Sequence, residues 1–235
     1  MGYYGYYYFD PTYILMIIAA VISLLAQAWV SSSFSKYSKV RSLSGMTGAM
    51  AAERILQSQG IYDVQIRHVS GKLTDHYNPS DKTLNLSDAV YQSTSVAAIG
   101  VAAHECGHAI QHARGYAPLS IRTAIVPIAN IGSKLSWVFI IAGLFFSTYG
   151  QPLLNIGILM FSAAVLFQLV TLPVEFNASA RALQLLSSTG ILQTQEVSKV
   201  RKVLTAAAMT YVAAAATAIL QLVRLILLFG GRDRD

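Results

Sequence analysis

Long apolar runs, more than any short-period alternation, set the pattern of this chain. Tyr13 to Val30 passes eighteen residues without a charge, close to the roughly twenty that cross a hydrocarbon core as a helix. Leu153 to Pro173 is another uninterrupted run of spanning length, and Val203 to Phe229 a third, with Arg224 near its far end, where its side chain can snorkel to the headgroups. A shorter apolar block from Leu135 to Tyr149 reaches back towards Ile125, with Pro127 and Lys134 complicating its start. Gly150-Gln151-Pro152 then predicts a turn that makes this block and the next run a hairpin.

The polar part of the chain lies between these runs. Thr47 to Gln59 predicts a helix, with Met50, Ile55 and Leu56 available for one face and Gly60 as its stop. Tyr62 to Val69 alternates apolar and polar residues, the period of a half-buried strand. Lys72 to Tyr77 and Thr83 to Ser87 predict two more strands around an Asn78-Pro79-Ser80-Asp81 turn. A helix capped by Ser93, Thr94 or Ser95 follows and ends at Gly115, with Pro118 beyond. Glu175 to Ser188 predicts a further helix of mixed polarity, stopped by Gly190, and a charged cluster of Glu196, Lys199, Arg201 and Lys202 precedes the last run. The fold class is therefore a mainly helical α+β membrane protein, with about four transmembrane helices and a small sheet.

Composition agrees with that pattern and charge orients it. Of 235 residues, 54% are hydrophobic and 12% charged, about half the charged share of a soluble domain. The net charge of +6 comes without a Lys/Arg block, which excludes a nucleic-acid-binding role. Lys36, Lys39 and Arg41 directly follow the first apolar run, and Lys and Arg collect on the cytoplasmic side of spans. The expected organisation is a tyrosine-rich interfacial segment at 1–12 and a span at 13–30. A cytoplasmic part follows at 31–118, then two spans within 119–173, a cytoplasmic helix at 174–202, a span at 203–229 and a tail at 230–235. This is a multi-pass protein of the cell membrane with both termini outside. The N-terminal run has no basic flank and no small-residue cleavage site, so it reads as an anchor rather than a signal peptide. The lone Cys106 excludes an internal disulfide.

The candidate chemistry sits on the helix that ends at Gly115. His104-Glu105-Cys106-Gly107-His108 places two histidines one helical turn apart on one face, so both imidazoles can reach a single ion. Glu105 projects to one side of the pair, where a carboxylate can reach a water activated by the metal without ligating the metal itself. Cys106 points elsewhere and reads as packing. His112 is one turn too far along to join the same ion. Gln111 and Arg114 stand where a third-histidine variant of the motif would need glycine and histidine. Apart from terminal residues, Glu175 and Glu196 are the remaining acids downstream. Glu196 follows no packed helical face, whereas Glu175 opens a helix beside a span. A site of His104, His108 and Glu175, holding one Zn2+ per chain with an open position for water and substrate, is the expectation.

His104 to His108, the following Ala109-Ile110-Gln111-His112, and Leu172-Pro173-Val174-Glu175-Phe176-Asn177-Ala178-Ser179 resemble the YugP-like family of bacterial membrane zinc metallopeptidases. Asp75-His76-Tyr77-Asn78-Pro79 and Leu84-Asn85-Leu86-Ser87 also resemble family segments, so the likeness covers nearly the whole chain. It implies a gluzincin-like core, with His104, His108 and Glu175 as ligands and Glu105 as general base. The HtpX-like and CAAX-protease-like enzymes are a more distant likeness. They carry an aspartate four residues after the ligand glutamate, which orients a metal-binding histidine. Here Ser179 holds that position and can accept a weaker hydrogen bond from an imidazole, with Asn177 as another candidate. His76, Tyr77, Arg181 and Tyr211 are residue types that could stabilise a transition-state oxyanion, and no spacing selects among them.

These features predict hydrolysis of peptide bonds in a protein or peptide at the bilayer, with exposed segments of membrane proteins as a substrate class. Strand 83–87 is a place where an extended substrate could add a strand. Two rival readings are an intramembrane site-two-type protease and a metal-binding membrane scaffold without activity. The first calls for an aspartate in a span, and none of the spans has one. The second leaves the non-ligating Glu105 without a purpose. A transporter would carry polar groups deep in its spans, and these have almost none. Oligomeric state has no signal in the sequence.

Overall fold

The computed structural model describes residues 10–146 and 149–230. Most of the tyrosine-rich segment and the tail after Gly230 lie outside the described residues. Among those described, the elements run α1 (Tyr13–Tyr37), α2 (Gly48–Ser58), β1 (Gln65–Val69), β2 (His76–Asn78), β3 (Thr83–Ser87), α3 (Val96–Ala113), α4 (Ala117–Phe145), α5 (Gly150–Ser188) and α6 (Thr194–Phe229). The class is mainly helical α+β, and α1, α4, α5 and α6 are each long and apolar enough to cross a membrane.

All four of these helices are longer than their apolar runs. Pro127 and Pro173 sit inside α4 and α5 instead of bounding them. A proline removes one hydrogen bond and crowds the carbonyl four residues back, but apolar helices tolerate it when their neighbours re-satisfy the freed group. The separate helix expected from Glu175 is therefore the continuation of α5. Gly150-Gln151-Pro152 forms the first turn of α5, so the chain reverses earlier than expected. Likewise α6 begins at Thr194 and absorbs the charged cluster.

Two compact units form. One gathers the described parts of Met1–Leu25, Val126–Gln168 and Ala213–Asp235, and the other Ala26–Ile125 and Leu169–Val212. In the first, buried side chains are few, with Ile140, Leu154 and Leu225 forming a small cluster. Its helices approach through small residues. A Cβ on Gly157 would lie 2.7 Å from Ile140 Cγ1 and 2.9 Å from the Ser136 carbonyl, the close packing usual between membrane helices. Arg224, near the far end of α6, donates from Nε to Thr12 Oγ1 at 3.2 Å and covers the Tyr13 ring, with Asp10 Oδ2 at 3.8 Å. The cap of α1 supplies the partners that water or lipid would otherwise provide.

The second unit has a conventional core. Ala51, Ala52, Ile55 and Leu56 of α2 pack with Leu84 and Leu86 of β3 and Ala98, Ile99 and Ile110 of α3. Met50 lies outside this face and is exposed, because the buried stripe runs through Ala51 and Ala52. Thr47 caps α2 by accepting from the Met50 N–H at 3.2 Å, and Ser95 caps α3 by accepting from Ala98 N–H at 3.2 Å. The sheet order is β1-β3-β2, with β1 parallel and β2 antiparallel to β3. Because β3 has a neighbour on each side, it has no free edge to receive a substrate strand. That expectation is corrected: the open edges belong to β1 and β2. The strand expected at 72–77 shrinks to His76–Asn78, because Leu73 takes a left-handed φ of 57° and Gly71 a φ of 115°. Neither value fits an extended strand.

Candidate metal centre

The buried N-terminal half of α3 is anchored before its histidines begin. The segment Val40 to Ser42 pairs with Thr94 to Val96, through Ser42 N–H to the Thr94 carbonyl and Val96 N–H to the Val40 carbonyl, both at 2.9 Å. Small residues then let other backbones come close. A Cβ on Gly107 would fall 2.6 Å from the Ala178 carbonyl oxygen and 2.9 Å from Ala178 Cα. Glycine inside the motif thus allows α5 to lie against α3, with Glu175 one turn before the crossing. Cys106, its neighbour, faces the core instead, with Sγ 3.6 Å from the Ala52 carbonyl, and burial pushes its thiol pKa well up.

His104, His108 and Glu175 converge. Glu175 Oε2 lies 3.2 Å from His104 Nε2 and 3.6 Å from His108 Nε2. The ligand atoms of all three residues lie within 4.8 Å of one another. Donors bonded tetrahedrally to zinc at its usual distances are about 3.3 Å apart, close to the two separations from Glu175. The remaining polar atoms of each residue are held elsewhere. His104 Nδ1 is 3.1 Å from Ser179 Oγ, His108 Nδ1 is 3.0 Å from Gln111 Oε1, and Glu175 Oε1 accepts from Arg122 Nη1 at 3.2 Å. One atom per residue is thereby left for a shared ion, and two imidazoles with a carboxylate are a donor set that suits zinc. Burial alone would push the His108 imidazole down. The Glu175 carboxylate beside it and the charge of Glu105 together outweigh it, so the group sits above the ordinary histidine range.

Glu105 stands beside this cluster, nearly buried, with Oε2 accepting from the Tyr77 backbone N–H at 3.0 Å. That N–H lies on the side of β2 away from β3, so the sheet itself orients the carboxylate. A cavity of about 270 Å³ opens here, lined by His104, Glu105, Glu175 and Tyr211 together with an apolar wall that includes Leu73, Val101 and Leu204.

The other candidate residues have different surroundings. The Tyr77 hydroxyl is 2.8 Å from His112 Nδ1. His76 is exposed, with Nδ1 2.8 Å from the Thr74 carbonyl and Nε2 3.2 Å from Asn85 Nδ2. Arg181 Nε donates to Asn177 Oδ1 at 2.7 Å, and Asn177 in turn accepts from Gln111 Nε2 at 3.0 Å, so Asn177 reaches His108 only through Gln111. Of the four oxyanion candidates, Tyr211 lines the cavity. Glu196 is not loosely placed. It is buried and accepts from the Leu43 N–H at 2.8 Å and the Gln193 N–H at 2.9 Å, as a cap of α6. Two residues at the site were missed. Arg122 gave no signal beyond a charge near an apolar run. Gln111 did, since three residues after His108 is the same helical face.

Four apolar helices and a cluster of two partly buried histidines and a buried glutamate define a membrane protein with a candidate zinc site. Residues 12–230 match the family described as "Putative neutral zinc metallopeptidase", and the chain belongs to that family. The chain is 47% identical over 225 residues to "Putative membrane protease YugP" of Bacillus subtilis (strain 168), an overlap covering 95% of this chain and 99% of that relative. No solved structure matches the chain.

Proposed function

We propose that this protein is a zinc-dependent endopeptidase of the membrane, hydrolysing peptide bonds with Glu105 as general base. The observation that carries the reading is the convergence of His104 Nε2, His108 Nε2 and Glu175 Oε2 beside a carboxylate that is not one of the converging groups. A zinc ion held there supplies a Lewis acid, which polarises the scissile carbonyl and lowers the pKa of the attacking water. Glu105 has Oε2 committed to the Tyr77 N–H, leaving Oε1 to take the water's proton and pass it to the leaving amine. The Tyr211 hydroxyl is the donor we assign to the developing oxyanion, because it shares the cavity with Glu105 and Glu175. The apolar cavity wall favours a hydrophobic side chain next to the scissile bond, which suits exposed segments of membrane proteins. We place the site on the cytoplasmic side, since Lys36, Lys39 and Arg41 follow the first span. The helix carrying the histidines is not among the four spanning candidates, which favours this reading over an intramembrane protease.

The test is zinc content and cleavage of unfolded casein by the detergent-purified protein, side by side with Glu105→Gln. We expect about one zinc per chain in both, and cleavage lost at least a hundredfold in the variant. Absence of zinc from the wild type would sink the reading. Equal cleavage by both proteins would remove Glu105 from the chemistry.

A further inference from the structure

Gln111 is fully buried, yet every polar atom of its side chain is used. Its Nε2 lies 2.8 Å from the Val174 carbonyl oxygen and 3.0 Å from Asn177 Oδ1, and its Oε1 lies 3.0 Å from His108 Nδ1. The directions follow from atoms with only one possible role. A backbone carbonyl can only accept, so the amide nitrogen of Gln111 must face Val174. At the other end, the Arg181 guanidinium can only donate, so the oxygen of Asn177 faces Arg181 Nε at 2.7 Å and also receives the second Gln111 N–H. With its nitrogen committed twice, Gln111 presents only an oxygen to His108. The Nδ1 of His108 must therefore carry a hydrogen, so Nε2, which faces Glu175 Oε2, is the nitrogen left to bind an ion.

We propose that Gln111 is a positioning residue that sets the tautomer and direction of His108 for metal binding, itself held by Asn177, Arg181 and the Val174 carbonyl. This rests on the reading that His104, His108 and Glu175 hold zinc, and it adds how one ligand is made ready before the ion arrives. The arrangement also ties two motifs together. Gln111 lies three residues past His108 on α3, while Val174, Asn177 and Arg181 flank Glu175 on α5, so one side chain fixes both ligand-bearing helices. Ser179 does less for His104, because a hydroxyl can donate or accept and so enforces no tautomer.

The experiment measures zinc affinity of the full-length, metal-stripped protein by chelator competition, with 15N imidazole spectroscopy of the same zinc-free samples. Gln111→Leu should bind zinc about 10–100-fold more weakly, and, at a pH high enough to keep the ring neutral, the His108 signal should change from the single Nδ1–H tautomer of the wild type to a mixture. Asn177 supplies only acceptor oxygen to Gln111 and Arg181, so Asn177→Asp should stay within about threefold of wild type, while Asn177→Leu should weaken zinc binding tenfold or more. The buried Cys106 reports folding through its protection from maleimide. If Gln111→Leu loses that protection, the two Asn177 variants decide the question alone. Wild-type affinity in Gln111→Leu, or equal damage from Asp and Leu at 177, would overturn the proposal. A wild type that binds no zinc would instead overturn the reading beneath it, and the proposal would fall with it.

Discussion

The two units solve opposite problems. In the unit built from Ala26–Ile125 and Leu169–Val212, aliphatic side chains such as Ile55, Leu84 and Ile99 are fully buried, Gln111 and Glu175 are buried with them, and Glu105 and Glu196 nearly so. Every one of these polar groups has named partners, as burial away from water requires. In the unit that includes Val126–Gln168, Ile128, Val138, Leu144, Leu159 and Leu166 are exposed, and the buried positions of α4 are Ile140 and the small residues Ala129, Gly132, Ser136 and Gly143. Apolar exposure on this scale is stable only if the surroundings are apolar too. A soluble-type core, driven by the hydrophobic effect, holds the site. Small-residue packing, with little hydrophobic drive between helices, holds the rest.

The largest test of this contrast is at the site. Glu175→Ala removes a carboxylate that is 2% exposed and leaves the Arg122 charge without its partner. Zinc affinity should fall by more than the roughly 100-fold that marks the upper range of outer-sphere changes, measured by chelator competition. Near wild-type affinity would show that the three residues are a structural cluster, not a ligand set. Next in size is a pair of exposed positions, one in each unit. Leu159→Arg, at a position 72% exposed in α5, should cost roughly 2.5–3.5 kcal/mol of membrane insertion, read in a glycosylation-tag insertion assay. Tyr62→Arg, at a position 79% exposed, should change stability by no more than about 0.5 kcal/mol. If Leu159→Arg inserts like wild type, the lipid-facing reading of that unit is wrong.

The same division explains what the amino-acid sequence makes legible. Local rules reach α2 and α3, because Thr47 and Ser95 cap them, and period-two alternation reaches β1. The His104-Glu105-His108 spacing is equally local. Strand order is not, since nothing in Thr83–Ser87 says that β1 and β2 will occupy both its edges. The prolines mislead for a physical reason. Propensity treats Pro173 as a stop, but one lost hydrogen bond is a small perturbation in a helix of 39 residues. Arg122 illustrates a different limit: its significance lies in a carboxylate 53 positions away, and a single charge at the edge of an apolar run does not name its partner. Gln111 lies between the two cases. Its face is predictable from spacing, whereas its partners on α5 come only from the fold.

Glu196 sharpens the comparison at the smallest scale. No periodicity marks it as buried, because its burial comes from capping and not from a packed face. It sits at the third position of α6 and reaches back to the Gln193 N–H, while its other oxygen accepts from Leu43 N–H in the segment after α1. Leu43 itself has an exposed side chain, so the contact anchors backbone to carboxylate with no apolar burial to assist it. Glu196→Ala leaves two N–H donors without their acceptor and should cost about 1–3 kcal/mol, read as a lowered thermal midpoint in detergent with zinc stoichiometry unchanged. Glu196→Gln should recover only part of that, because an amide offers one acceptor oxygen to two donors. An unchanged midpoint in Glu196→Ala would mean that water replaces the carboxylate there at no cost. The soluble-type unit would then draw its stability from apolar burial alone, and its buried acids would be explained by the site they form.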